Sequence, residues 1–182
     1  MPVYVSLLRG INVGGNKKIK MAALREVYES LGLLRPQTLL QSGNVVFESK
    51  LNDPAELARQ IEAGIEQHFG FDVRVFMRTA AEWHDVVARN PFAADHDPAR
   101  LLVMFFAAAP DAAAVEQLQQ AHTGPEEMHL SGRELFLYYA DGIGRSKLSN
   151  TLIEKTLKLP GTGRNWATVN KLVDLASSYE TN

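Results

Sequence analysis

Val3-Tyr4-Val5-Ser6-Leu7-Leu8, followed by Arg9-Gly10-Ile11-Asn12-Val13-Gly14-Gly15-Asn16-Lys17-Lys18-Ile19-Lys20-Met21, decides how the chain begins to fold. The first six residues are a short, nearly unbroken apolar run of strand length. Beyond Met21, apolar residues recur at Leu24, Val27, Tyr28 and Leu31, the spacing of one helix face, and Gly32 is placed to close that helix as a left-handed cap. The spacing predicts a helix from about 20 to 31. Residues 9–20 are therefore a strand-to-helix loop whose three glycines permit positive φ and close backbone approach.

Outward from that opening, Pro36 restarts the chain. Thr38-Leu39-Leu40 and Val45-Val46-Phe47 are β-prone runs around a turn at Gln41-Ser42-Gly43-Asn44. Asp53-Pro54-Ala55-Glu56 combines an N-cap, a first-turn proline and a capping-box glutamate ahead of the stripe Leu57, Ile61, Ile65 and Phe69, which Gly70 ends. Val73, Val75 and Met77 then alternate with period two. The order β-α-β-β-α-β is that of a ferredoxin-like, split βαβ unit spanning residues 1–78.

Thr79 and Glu82 form a second capping box before a short connecting helix that Asn90-Pro91 terminates, and residues 79–100 are assigned to this helix and a linker. Residues 101–182 form the second α+β subdomain. Leu101 to Phe106 reads as a strand, Asp111 caps a helix through Val115 and Leu118, and Ser131-Gly132 turns between two further strands. Leu148, Leu152 and Leu157 mark another helix. Gly161-Thr162-Gly163-Arg164-Asn165-Trp166 reads as a glycine-rich loop, so the last strand of this unit is expected to be replaced by a C-terminal helix carrying Trp166, Val169, Leu172, Val173 and Ala176. The expected fold class is α+β with two ferredoxin-like subdomains. No residue-level repeat links the halves.

Composition narrows the functional classes. The 182 residues contain no cysteine, which excludes disulfides, thiolate catalysis and cysteine-ligated metals. No apolar stretch reaches the roughly 20 residues of a membrane span, and the N-terminus has no basic lead-in, so a cytoplasmic protein without a membrane partner is expected. A net charge of −2 argues against general duplex binding. That total hides an asymmetry: residues 1–25 carry five basic side chains and no acid, and residues 142–182 carry six against three acids, leaving an acidic middle.

Three loops share a composition of glycine, basic and small polar residues: 9–20, 142–147 and 161–166. Arg9, Asn12, Gly14, Gly15 and Lys17 in the first, Arg145, Ser146 and Lys147 in the second, and Arg164 and Asn165 in the third offer donors suited to phosphate or carboxylate. Ser42 and Asn44, at the hairpin tip, are candidates to reach the same ligand. No loop matches a nucleotide fingerprint: the first lacks Gly-Lys-Ser/Thr and the G-x-G-x-x-G spacing. The histidines show no metal-ligand spacing, and no metal or cofactor is expected.

Leu7-Leu8-Arg9-Gly10-Ile11-Asn12-Val13-Gly14-Gly15-Asn16-Lys17-Lys18-Ile19-Lys20-Met21, Leu40 to Phe47 (Leu-Gln-Ser-Gly-Asn-Val-Val-Phe), Asn90-Pro91-Phe92, Gly144-Arg145-Ser146-Lys147-Leu148 and Thr162-Gly163-Arg164-Asn165-Trp166 resemble the bacterial domain-of-unknown-function family numbered sixteen ninety-seven. The resemblance runs along essentially the whole chain. It implies a cytoplasmic α+β protein of two ferredoxin-like subdomains, and it implies no activity.

The functional expectation drawn from the residues is a single site at which the three basic loops meet a phosphate-bearing ligand, a nucleotide or a short single-stranded nucleic acid. Two other classes are open. One is an enzyme acting on a phosphorylated small molecule, with Asp141 or Glu48 as base; the other is a module whose basic patch meets an acidic protein partner. Catalytic residues and oligomeric state are not specified by the sequence.

Overall fold

The structure, a computed structural model, describes residues 1–181. Its contacts divide the chain into two compact units, Met1–Asp85 with Leu172–Asn182, and Val86–Lys171.

In the first unit, β1 (Val3–Leu8), α1 (Met21–Ser30), β2 (Leu34–Leu39), β3 (Asn44–Glu48), α2 (Pro54–Phe69) and β4 (Val75–Thr79) form a four-stranded antiparallel sheet in the order β2-β3-β1-β4. β1 is central and buried along its whole length, which is why its sequence is apolar apart from Ser6, whose hydroxyl donates to Val45 O (3.2 Å), rather than alternating. Leu24, Val27 and Tyr28 of α1 and Leu57, Ile61 and Ile65 of α2 pack with Tyr4, Leu8, Val45 and Phe47 to form the core. Asp53 Oδ1 accepts the N–H groups of Ala55 (3.0 Å) and Glu56 (3.1 Å), and Gly70 ends α2 at φ 80°. β2 differs from expectation in starting at Leu34 and running through Pro36. A register shift between Leu34 and Gln37 and the edge position of β2 accommodate the missing N–H.

The strand β4 leads directly into α3 (Ala80–Arg89), which opens with the expected capping box. Glu82 N donates to Thr79 Oγ1 (3.1 Å), and Thr79 N donates to Glu82 Oε2 (2.8 Å).

The second unit repeats the wiring. β5 (Leu101–Phe106), α4 (Ala112–Ala121), β6 (Glu127–Ser131), β7 (Glu134–Tyr138), α5 (Asn150–Leu157) and β8 (Gly161–Asn165) give the sheet order β6-β7-β5-β8, and α6 (Trp166–Ser178) follows. Leu102, Met104 and Phe106 of β5 pack with Val115, Leu118, Ile153 and Leu157 of the two helices. The α+β class with two ferredoxin-like subdomains and a C-terminal helix is therefore observed.

One detail is corrected. The final strand of the second unit is present, because residues 161–165 pair antiparallel with β5 from Phe106↔Gly161 to Leu102↔Asn165. Gly-Thr-Gly-Arg-Asn has little intrinsic strand preference. It is extended because the free edge of β5 needs a partner and because the glycines allow close packing: a Cβ at Gly161 would stand 2.7 Å from the Phe106 ring and 2.9 Å from Phe105 O.

The repeated wiring also has a residue-level counterpart. Arg78, paired with Val5, and Arg164, paired with Val103, each stand one residue before the end of the fourth strand, and both are buried. The next residue caps the following helix in each case, Thr79 through Oγ1 and Asn165 through Oδ1, which accepts Thr168 N–H at 2.9 Å.

Candidate functional site

In the first unit, the loop 9–20 is organised by its own asparagine. Asn12 has φ 55°; its Oδ1 accepts Ile19 N–H (2.8 Å), and its Nδ2 donates to Ile19 O (3.1 Å) and Gln41 O (2.8 Å). Beyond it, Asn16 N donates to Val13 O (3.0 Å) across Gly14 and Gly15, both with positive φ, a two-residue turn of the primed type. Lys17 Nζ donates to Asp72 O (2.6 Å) and lies 4.0 Å from Asp72 Oδ1. Arg9, on the exposed rim, donates its N–H to Arg74 O (2.9 Å).

The hairpin tip stands beside this loop. Asn44 is fully buried, and its Nδ2 donates to Leu39 O (2.7 Å) and Ser42 Oγ (2.9 Å). Gly43 presses its Cα against Leu8 and Ile11, where a Cβ would approach to within 2.7 and 2.8 Å. The structure thus brings residues 9–20 and 41–44 together through the Asn12 side chain on Gln41 O, with Asn44 bonded to Ser42 within the tip and the Lys17 side chain turned to Asp72.

The second unit contains a cavity of about 490 Å³ between α4, α5 and the turn after β7. Leu118, Pro125 and Leu152 supply apolar wall; Asp141, Arg145 and Lys147 come from the turn; and His122, Thr123 and Glu126 come from the α4–β6 connection. The turn is held in place from beneath. Gly142 N donates to Tyr139 O (2.9 Å), Tyr139 Oη donates to the Leu148 carbonyl (3.0 Å), and Arg100 Nη1 donates to Ala140 O. Burial pushes the Tyr139 phenol up to about 12, with the nearby Glu126 charge acting in the same direction, so this hydroxyl stays a donor. Arg145 and Lys147 are exposed, and their side chains have no hydrogen-bond or ion-pair partner among the described residues.

Below the two cations, Ser146 Oγ donates to Glu126 Oε1 (2.5 Å) and accepts Leu148 N–H (3.0 Å), while His122 Nε2 lies 2.5 Å from Glu126 Oε2. Burial alone would raise the Glu126 carboxyl. The hydrogen bonds from Ser146 and His122 outweigh it and hold the group below the usual carboxylate range. A second cavity of about 370 Å³ adjoins the first and shares His122 and Glu126 with it, with Phe92, Glu127, Met128 and His129 on its walls.

Arg164 does not join Arg145 and Lys147. Along β8 the Gly163 side of the strand faces Asn150, Met104 and Leu102 beneath the helices, so Thr162 and Arg164 face the opposite side of the sheet. There Arg164 Nη1 donates to Thr162 Oγ1 (2.8 Å) and Gly163 O (2.9 Å), and burial lowers its guanidinium to about 10. Asn165 is exposed, with its side chain occupied in capping α6.

His122 and Glu126 were absent from the sequence-based candidates. The signal for them is a His-x-x-x-Glu spacing across Thr123-Gly124-Pro125, a turn that folds the two side chains onto each other. Glu48, a sequence candidate for a base, is instead paired with Arg35 Nε (2.8 Å) in the first unit, and that hydrogen bond lowers its carboxyl.

The family model described as "Protein of unknown function (DUF1697)" matches residues 1–136. The chain belongs to the DUF1697 family. The match covers the first unit's opening and hairpin motifs and ends within β7, just before the turn that lines the larger cavity. A solved structure described as conserved bacterial protein SP0830 from Streptococcus pneumoniae is 26% identical, covers 96% of this DUF1697 chain and 98% of its own, and superposes with a TM-score of 0.72. No curated protein matches the chain. Among the described residues, no helix is long and apolar enough to cross a membrane, and no group of three or more acidic or imidazole side chains is arranged to hold a metal ion.

Proposed function

We propose that this DUF1697 protein binds a small phosphate-bearing ligand, a nucleotide by size, in the cavity between α4, α5 and residues 141–147. The observation that carries this reading is the pair Arg145 and Lys147: two exposed cations whose side chains have no partner among the described residues, on the wall of a cavity of about 490 Å³ that also has an apolar side. That volume lies within the usual range for small-molecule sites, roughly 300–1,000 Å³. A phosphate takes the guanidinium fork and the ammonium. A base or sugar ring packs against Leu118, Pro125 and Leu152, and Asp141 accepts from sugar hydroxyls. By this reading, residues 9–20 and 41–44 form a structural knot of the first unit, and Arg164 and Asn165 serve the sheet and the α6 cap.

The test is calorimetric titration of the full chain with nucleoside mono-, di- and triphosphates, a dinucleotide and sugar phosphates at two salt concentrations. Nucleotide binding is expected to weaken with salt. Arg145→Ala and Lys147→Ala should each weaken it about ten-fold or more, the worth of a charge-assisted hydrogen bond, while Lys18→Ala in the first loop leaves it unchanged. Absence of binding by every phosphorylated probe, or undiminished affinity in Arg145→Ala, rejects the reading.

A further inference from the structure

The His122 imidazole is wired as a proton acceptor. Leu148 N–H occupies a lone pair of Ser146 Oγ, so that hydroxyl gives its proton to Glu126 Oε1. Glu126, held ionised, takes the His122 proton on its other oxygen through Nε2. A neutral imidazole with its proton on Nε2 has a bare lone pair on Nδ1. No partner is seen for Nδ1 among the described residues, and no buried side-chain nitrogen or oxygen lacks a partner, so solvent reaches it. His122 is also the single imidazole among the residues lining the larger cavity. The backbone is shaped around the pair: a Cβ on Gly124 would overlap Glu126 Oε2 and stand 2.6 Å from His122 Nε2.

We propose that this cavity hydrolyses a phosphoanhydride, the terminal linkage of a nucleoside di- or triphosphate, with His122 as the general base and Arg145 and Lys147 holding the phosphoryl group. The proposal rests on the ligand reading above. In the step, Nδ1 takes a proton from water as the water oxygen bonds to phosphorus. The bridging P–O bond breaks, and its electron pair leaves on the shortened nucleotide. The imidazolium then returns its proton to solvent, and the products are inorganic phosphate and the shorter nucleotide. The anhydride is favoured over an ester because a phosphate leaving group departs without a proton, whereas an alkoxide needs a second group to supply one. Arg145 and Lys147 meet the charge on the transferring phosphoryl oxygens. Glu126 is a positioning residue: it fixes the tautomer and stabilises the imidazolium.

The charged and titratable groups around His122 are Glu126 on the same connection, Asp141, Arg145 and Lys147 from the turn, and Glu127 and His129 from β6 on the adjoining cavity. With these in place, protonation of the imidazole removes the acceptor, and activity falls on the acid side.

The experiment measures phosphate release by the full chain from ADP, ATP and inorganic pyrophosphate across pH, with and without magnesium, alongside nucleotide affinity. His122→Gln should lower release about 100-fold or more and change affinity less than about three-fold, within one neutral hydrogen bond. Glu126→Gln should lower kcat with little change in KM, because a neutral amide does not stabilise the imidazolium that forms in the step. Equal release by His122→Gln and the parent overturns the proposal, as does a parent that binds nucleotide without releasing phosphate. That second outcome leaves the binding reading standing; absence of nucleotide binding removes both.

Discussion

Gly161→Ala discriminates a strand from a loop at residues 161–165. The introduced methyl would stand 2.7 Å from Phe106 Cε1, 2.9 Å from Phe106 Cδ1 and 2.9 Å from the Phe105 carbonyl oxygen. The ring is fully buried, and the carbonyl belongs to the central strand of the sheet, so neither moves without disturbing its neighbours. Overpacking of this kind costs about 1–3 kcal/mol. For a chain of this length, each kcal/mol lowers Tm by roughly 2–4 °C, so about 4–8 °C is expected for a mid-range cost. The internal comparison is Gly144→Ala, in the turn beside the cavity, where a Cβ meets nothing within 4 Å and φ is not positive. There the loss of unfolded-chain freedom is the main effect, and Tm should hold or rise slightly. Thermal and urea unfolding followed by Trp83 and Trp166 fluorescence reads both variants. A Gly161→Ala protein as stable as Gly144→Ala would refute the pairing of β8 with β5.

Asn12→Ala removes three side-chain hydrogen bonds and puts alanine at φ 55°, so it should destabilise by about 3 kcal/mol, read as a fall in the urea midpoint; a midpoint within error of the parent would show that the loop is not held by this residue. Glu126 has a folded-state carboxyl lower than its unfolded one, so the stability it contributes is complete above the unfolded value, about 4.3, and is lost as pH falls through the folded value. Acid titration of the parent should therefore lose stability more steeply below about pH 4.3 than Glu126→Gln does, and parallel curves would contradict the shift.

Much of the fold is written in local chemistry. Asp53-Pro54-Ala55-Glu56 and Thr79 with Glu82 announce their helices because capping is decided within four residues, and both sets of hydrogen bonds are present. Residues 161–165 are extended for a reason located sixty residues away, in the edge of β5 and the ring of Phe106, and no local propensity encodes that. Pro36 similarly marks a chain restart by local rules, yet an edge strand with a register shift absorbs it. At the cavity, the glycine and basic residues of Gly142 to Lys147 are legible as a loop of hydrogen-bond donors, whereas the setting of His122 is not. Its meaning depends on Glu126 across a turn and on Ser146 beyond two strands, which only the folded chain brings within 2.5 Å of the same carboxylate.

Composition grouped three loops that occupy different positions in the repeated wiring. In the first unit the long connection is 9–20, between β1 and α1; its counterpart in the second unit, 107–111, is short. In the second unit the long connection is 139–149, between β7 and α5, and its counterpart, 49–53, is short. Because β1 and β3 are antiparallel, as are β5 and β7, the connections leaving them sit at opposite ends of the common template. The first loop accordingly meets the hairpin tip 41–44 and Asp72, whereas the turn 141–147 meets the α4–β6 connection with His122 and Glu126. A ligand site built on the second arrangement has no equivalent in the first unit. The two units share one sheet order and the matching Arg78 and Arg164, and the longer connection of the second unit lines the cavity.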